Sequence, residues 1–209
     1  SFDTYYNPRR MNFGALRVLN DDRVEAGKGF GIHPHKNMEI ISIPLKGKLK
    51  HGDSNKNSRT ITIGDIQTMS AGTGIYHSEM NGSDTEPVEF LQIWVMPEKL
   101  NTPPAYQDYD IRPFLRKNEL ALIVSPDGDA PAKMLQQTWF SIGEIEAGKK
   151  IGYHMHQSHA GVYIFVIEGE VKVDDTVLSR RDGMGVYDTH SFELETLKDS
   201  HILLMEVPM

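Results

Sequence analysis

His33-Pro34-His35 in GFGIHPHKNMEI and His77-Ser78-Glu79 in SAGTGIYHSEMN are two half-motifs about forty residues apart, and together they offer three imidazoles and one carboxylate. In an extended strand, residues two apart point to the same face, so each pair can aim both side chains at one point between strands. Glu39, a few residues beyond the first half-motif, is a competing carboxylate. Either choice gives a three-His, one-carboxylate set, which suits a first-row divalent ion and leaves coordination positions open for water, dioxygen or substrate. A lone buried histidine is more often a core residue satisfied by hydrogen bonds. Two same-face pairs change that balance, because burying three histidines and a glutamate together without a cation is costly.

The elements that must position these side chains are short strands. ALRVLNDD, MEIISIPLKGKLKHGD, RTITIGDIQTMS, VEFLQIWVMP, TWFSIGEIEAGKK, GVYIFVIEGEVKVDD and HILLMEV alternate apolar or β-branched residues with polar ones, and Gly, Asp and Asn punctuate them. That spacing predicts an all-β sandwich or barrel without long helices. A Pro-rich polar stretch carrying Pro97, Pro103, Pro104 and Pro113 sustains no strand period and is the expected linker. The two sides of it look like copies. His33-Pro34-His35 is matched by His154-Met155-His156, Gly47 in LKGKLK by Gly169 in IEGEVK, and His77 by His190. Similar offsets at three landmarks predict an internal duplication of one small β-barrel, with domains at 1–108 and 109–209.

Composition narrows the chemistry. Across 209 residues the formal net charge is -7, which argues against a polyphosphate-binding surface, so no direct nucleic-acid contact is expected. Cysteine is absent, which excludes disulfides, thiolate metal sites and a cysteine nucleophile, and leaves histidine and carboxylate to supply any ligands. No apolar run approaches the roughly 20 residues of a membrane span and no signal peptide opens the sequence. A cytoplasmic protein with no membrane association is therefore expected. The first residue is Ser1 rather than Met, so the native start and any N-terminal targeting segment stay open. Met38, Met69, Met80 and Met96 lie near the half-motifs and could line a pocket for a flat aromatic ligand, although such residues are more often core.

The Gly-rich lead GKGFG, the His-x-His, Glu39, Gly47, Gly64-Asp65, Gly72, His77 and Asn81 resemble a cupin domain. More narrowly, ALRVLNDDRVEAGKGFG, HPHKNMEI and SAGTGIYHSEMN resemble the bacterial pirin-like proteins across the N-terminal half, and strand order carries a looser likeness through the C-terminal half. The resemblance implies a bicupin of two double-stranded β-helix (jelly-roll) barrels. It implies a metal held by His33, His35, His77 and Glu79, preferring Glu79 over Glu39, which is then expected to orient an imidazole from behind. It implies iron(II) as the ion, with zinc, copper, nickel, cobalt and manganese left open, and a metal-free C-terminal barrel. His154, His156 and His190 could still form a three-His zinc or copper site. Pirin-like chains normally carry a further N-terminal segment before SFDTYYNPRRMNFGALRV, whose absence could expose a sheet edge.

The activity that follows by resemblance is that of a quercetin 2,3-dioxygenase, an oxidoreductase in which dioxygen opens the central ring of a flavonol and carbon monoxide leaves. Glu79 is the expected catalytic residue, as ligand and as base for the substrate hydroxyl. The alternative is an iron-binding redox sensor acting through a protein partner, in the manner described for eukaryotic pirins. A flavonol-like aromatic substrate and dioxygen are the expected partners, and a monomer is the expected state.

Overall fold

Alternation of apolar and polar residues sets most of the chain as strands, and the computed structural model describes residues 4–209. They form two compact units. The first comprises residues 4–12, Leu16–Arg112 and Pro131–Gln136; the second comprises Phe13–Ala15, Pro113–Ala130 and Gln137–Met209.

In the first unit, β1 (Leu16–Val24), β2 (Gly29–His35), β3 (Glu39–Lys46), β4 (Lys48–Asp53), β5 (Ser58–Thr62), β6 (Asp65–Ser70), β7 (Ile75–Asn81), β8 (Val88–Val95) and β9 (Ala105–Asp110) make two sheets. Their orders are β1-β8-β3-β6-β9 and β2-β7-β4-β5. In the second unit, β10 (Ala121–Ser125) precedes the short β11 (Ala132–Lys133), which belongs to the first unit. There follow β12 (Trp139–Ile145), β13 (Lys150–His154), β14 (Ala160–Glu168), β15 (Glu170–Val173), β16 (Thr176–Ser179), β17 (Gly183–Val186), β18 (Ser191–Thr196) and β19 (Ser200–Pro208). The second unit runs β10-β12-β19-β14-β17 in one sheet and β13-β18-β15-β16 in the other.

With β9 and β10 set aside, the two strand orders are identical. β1-β8-β3-β6 corresponds to β12-β19-β14-β17, and β2-β7-β4-β5 to β13-β18-β15-β16. Each unit is a double-stranded β-helix, and the chain is the expected all-β bicupin. Gly47 links β3 to β4 at φ 75°, and Gly169 links β14 to β15 at φ 93°. Both φ values favour glycine, and a Cβ would lie 2.7 Å from the Pro87 carbonyl oxygen at Gly47 and 2.3 Å from that of Asp199 at Gly169. The matched glycines of the sequence are thus the same hairpin in two copies.

The two interiors differ. The second is a continuous apolar core of Ile145, Tyr153, Val162, Ile164, Val166, Val171, Val173, Leu178, Leu194, Ile202 and Leu204. The first includes the apolar clusters Leu49, Ile61, Val88 and Phe90, and Ile40, Met69, Ala71 and Ile75, and buries Ile41, Ile43, Ile66, Leu91, Ile93 and Val95 besides. Ser42, His51, Gln67, His77, Glu79 and Gln92 are also buried there.

Two expectations are corrected here. The Pro-rich stretch is not wholly irregular, because AYQDYD within it forms β9, antiparallel to β6. Its mostly exposed, polar composition is tolerated on an edge strand, and that hid it from a search for apolar alternation. Glu39 is not free to orient an imidazole. Its carboxylate accepts the Ser70 hydroxyl at 3.0 Å and the backbone N–H groups of Leu135 and Gln136 at 2.9 and 2.7 Å, anchoring the segment after β11. Glu39→Gln removes one charged acceptor from those buried donors and should cost about 1–3 kcal/mol in urea unfolding. Metal content, measured on the folded variant, should stay at the wild-type level.

Candidate metal centre

Antiparallel pairing of β2 with β7 places His33 directly opposite His77, with Pro34 opposite Tyr76 and His35 opposite Ile75. Period-two geometry turns Ile75, His77, Glu79 and Asn81 inward on β7, while Tyr76 is exposed. The three imidazoles converge. Ring centroids lie 4.9 Å apart for His33 and His35, 4.4 Å for His33 and His77, and 4.7 Å for His35 and His77. One ligand nitrogen from each falls within 4.8 Å of the others, and this is the group the described residues offer to a metal ion.

The donor set fits a cation. Both ring nitrogens of His77 and Nε2 of His35 are buried without a hydrogen-bond partner. Burial, reinforced by neighbouring imidazoles, pushes His35 down to about 4 and His77 down to about 3, so both are neutral lone-pair donors at neutral pH. His33 Nδ1 lies 2.7 Å from the Gly31 carbonyl oxygen, which calls for the hydrogen on Nδ1 and leaves Nε2 as the donor. Trp94 meets His35 edge to face at 4.9 Å and limits where that ring can turn.

Glu79 is on the inward face of the same strand, 1% exposed, but its carboxylate is not within the three-imidazole group. Oε1 accepts the Ser42 hydroxyl at 2.9 Å and Gln67 Nε2 at 3.3 Å, and Oε2 accepts Gln92 Nε2. Burial pushes its acid up to about 7 against the pull of these hydrogen bonds, with the charge of Asp22 adding to the rise. The sequence reading missed the two glutamines, and it missed His51. His51 sits opposite Glu79 on β4, stacks on Tyr106 at 4.2 Å, and its Nε2 lies 3.0 Å from Asp53. KLKHGD carries no second ligand-type residue at a same-face spacing except Asp53, which is bound to His51 itself. The only available signal was the inward phase of the strand that includes buried Leu49.

The second copy lacks these groups, and the sequence alignment of its histidines is out of register, by one residue at His154 and by two at His190. In the ladder, Tyr153 pairs with Phe192 where His33 pairs with His77, and Val173 pairs with Leu194 where His51 pairs with Glu79. Register therefore puts Tyr153, Met155, Phe192 and Leu194 at the places of His33, His35, His77 and Glu79. A slip of one residue moves a side chain to the other face. His154 is accordingly exposed, His190 is exposed just before β18, and the described residues gather no metal group there.

A buried carboxyl with a raised pKa contributes stability below its unfolded value of 4.5, and that stability is lost as pH rises through about 7. Glu79→Gln abolishes this loss. In metal-free protein, the melting temperature of Glu79→Gln relative to wild type should therefore climb between pH 5 and pH 8, by an amount corresponding to at most about 3 kcal/mol. A flat difference would mean that the carboxyl is not desolvated.

The Pirin family model matches residues 1–95, and that of the quercetinase C-terminal cupin domain matches residues 122–207. A quercetin 2,3-dioxygenase of Escherichia coli K12 is 38% identical over 213 residues, covering 100% of this chain and 89% of the relative. A pirin-like protein of Caulobacter vibrioides is 34% identical over 217 residues, covering 99% and 89%. The crystal structure of the E. coli bacterial pirin YhhW in complex with nickel(II) superposes with a TM-score of 0.93 at 36% identity, over 100% of this chain and 89% of that one. With two matching cupin barrels, a converging set of imidazoles and whole-chain likeness of this degree, the chain belongs to the pirin family.

Proposed function

We propose that the protein is a metal-dependent dioxygenase of the quercetin 2,3-dioxygenase type, cleaving the central ring of a flavonol with dioxygen and releasing carbon monoxide. The observation that carries the reading is the set of buried, unpartnered nitrogens on His35 and His77 beside His33. Relatives named quercetin 2,3-dioxygenase supply the reaction class. His33, His35 and His77 would hold the ion, with Glu79 as fourth ligand, and iron(II) is the ion we assign. When bound, the ion supplies Lewis acidity and a common point of attachment for the substrate oxygen and dioxygen.

The chain's own residues do the rest. His33 is fixed in one tautomer by Gly31, and Trp94 packs against His35, so two of the imidazoles are pre-oriented. Gln67, Gln92 and Ser42 hold the Glu79 carboxylate inside the barrel. An acid raised to about 7 is matched to taking a proton at neutral pH, and Glu79 is the group we assign to accept the flavonol hydroxyl proton at a carboxylate oxygen. A cytoplasmic location and a monomeric state go with this reading.

Elemental analysis of protein purified without added metal, beside His33→Ala and His77→Ala, tests the ligands, and both substitutions should remove most of the bound ion. Flavonol bound anaerobically should then release carbon monoxide when oxygen is admitted to wild type, with turnover roughly 100-fold lower or less in metal-loaded Glu79→Gln. Full metal content without carbon monoxide would exclude the activity. Equal turnover in Glu79→Gln would exclude the base.

A further inference from the structure

Outside the imidazole cluster, the second unit buries Glu206 of β19 with no exposed surface. Its Oε2 accepts the Tyr153 hydroxyl at 2.9 Å and lies 2.7 Å from His156 Nδ1. Its Oε1 accepts the backbone N–H groups of His156 and Gln157 at 2.7 and 3.1 Å. A carboxylate with this set of donors is an acceptor, so an imidazole hydrogen sits on Nδ1, and in the neutral ring Nε2 is the lone-pair acceptor. The imidazole also lies flat on Trp139, with centroids 4.9 Å apart and an interplanar angle of 4°. Its side chain stays 33% exposed. The ring is thus held in one orientation with part of its side chain exposed, as in the carboxylate-imidazole pairs of acid-base and recognition sites.

The ring borders a cleft of about 530 Å³ lined from β10, β12 and β13. That volume is in the range of small-molecule sites. Leu120, Leu122 and Ile151 give it an apolar side, and Asn118, Glu119 and Ser141 bring polar groups to it. Gly152, also in the lining, is exposed, and a Cβ built on it would meet nothing within 4 Å. Lys150 in the same lining is paired with Glu193 at 2.9 Å, and Glu119 adds a carboxylate. The balance of charge therefore does not favour an anion.

We propose that this cleft is a second binding site, which takes a neutral hydroxylated aromatic molecule whose O–H donates to His156 Nε2 while its ring rests on Leu120, Leu122 and Ile151. None of these groups belongs to the metal cluster, and the proposal is independent of the reaction assigned to the first unit.

Phenol and its methyl ether, anisole, are the probes, because they differ by the one donor the site is built to accept. NMR of the protein as purified should show phenol shifting the His156 ring and Gly152 amide resonances, with phenol bound about tenfold more tightly than anisole, the value of roughly one hydrogen bond. His156→Phe keeps a ring on Trp139 but deletes Nε2, and the preference should fall to about one. His33→Ala should leave the preference at this cleft unchanged. A lowered melting temperature in His156→Phe with the preference intact would show that the pair only pins the loop at residues 155–157 and would overturn the proposal. Shifts confined to the His33, His35 and His77 region would overturn it as well.

Discussion

The register between β2 and β7 is the constraint on which the site depends. Side chains on a strand alternate faces, so one residue of slippage would turn His77 and Glu79 outward and bring Tyr76 and Ser78 in. His33 meets His77 only because the ladder pairs them directly. The register is held from both sides, since β4 pairs with the other edge of β7 and sets His51 opposite Glu79. Apolar neighbours enforce it. Ile75 on β7 and Leu49 on β4 are buried in the same phase as the polar residues, and exposing them would forfeit on the order of 2 kcal/mol each.

The duplicated fold shows what that phase permits. Both copies use the same strand order, yet one interior is mainly aliphatic and aromatic, with Glu206 bonded to Tyr153, and the other carries imidazoles, glutamines and the Glu79 carboxylate. Burying polar groups is tolerable only when each has a partner. Ser42, Gln67 and Gln92 meet that requirement for Glu79, and Asp53 meets it at one nitrogen of His51. Among the described residues of the first unit, the buried side-chain nitrogens without a hydrogen-bond partner are on His35, His51 and His77. The first interior thus offers imidazole lone pairs that could hold a metal ion, whereas the second offers no such group among the described residues.

Much of this was legible in the sequence. HPH and HSE name three histidines that do converge, and Gly47 and Gly169 mark one hairpin in two copies. Other features were not legible, for physical reasons. His154-Met155-His156 looks like a repeat of His33-Pro34-His35, but the ladder aligns Tyr153 with His33, and a text match cannot sense the phase of a strand. Glu39 looks like a ligand because it follows the half-motif closely, yet it is spent on backbone donors nearly a hundred residues away. β9 escaped notice because an exposed edge strand need not alternate.

The residue types and their spacing by themselves determined the all-β duplication, the absence of thiol chemistry and the histidine half-motifs, because period and composition are local properties. Tertiary structure decided which nitrogens converge, that Glu79 is held by two glutamines and a serine, and that Glu206 orients His156 on the far side of the second barrel's sequence. Those outcomes depend on pairing across strands that are distant in the chain. Only the folded register brings such residues within hydrogen-bonding distance.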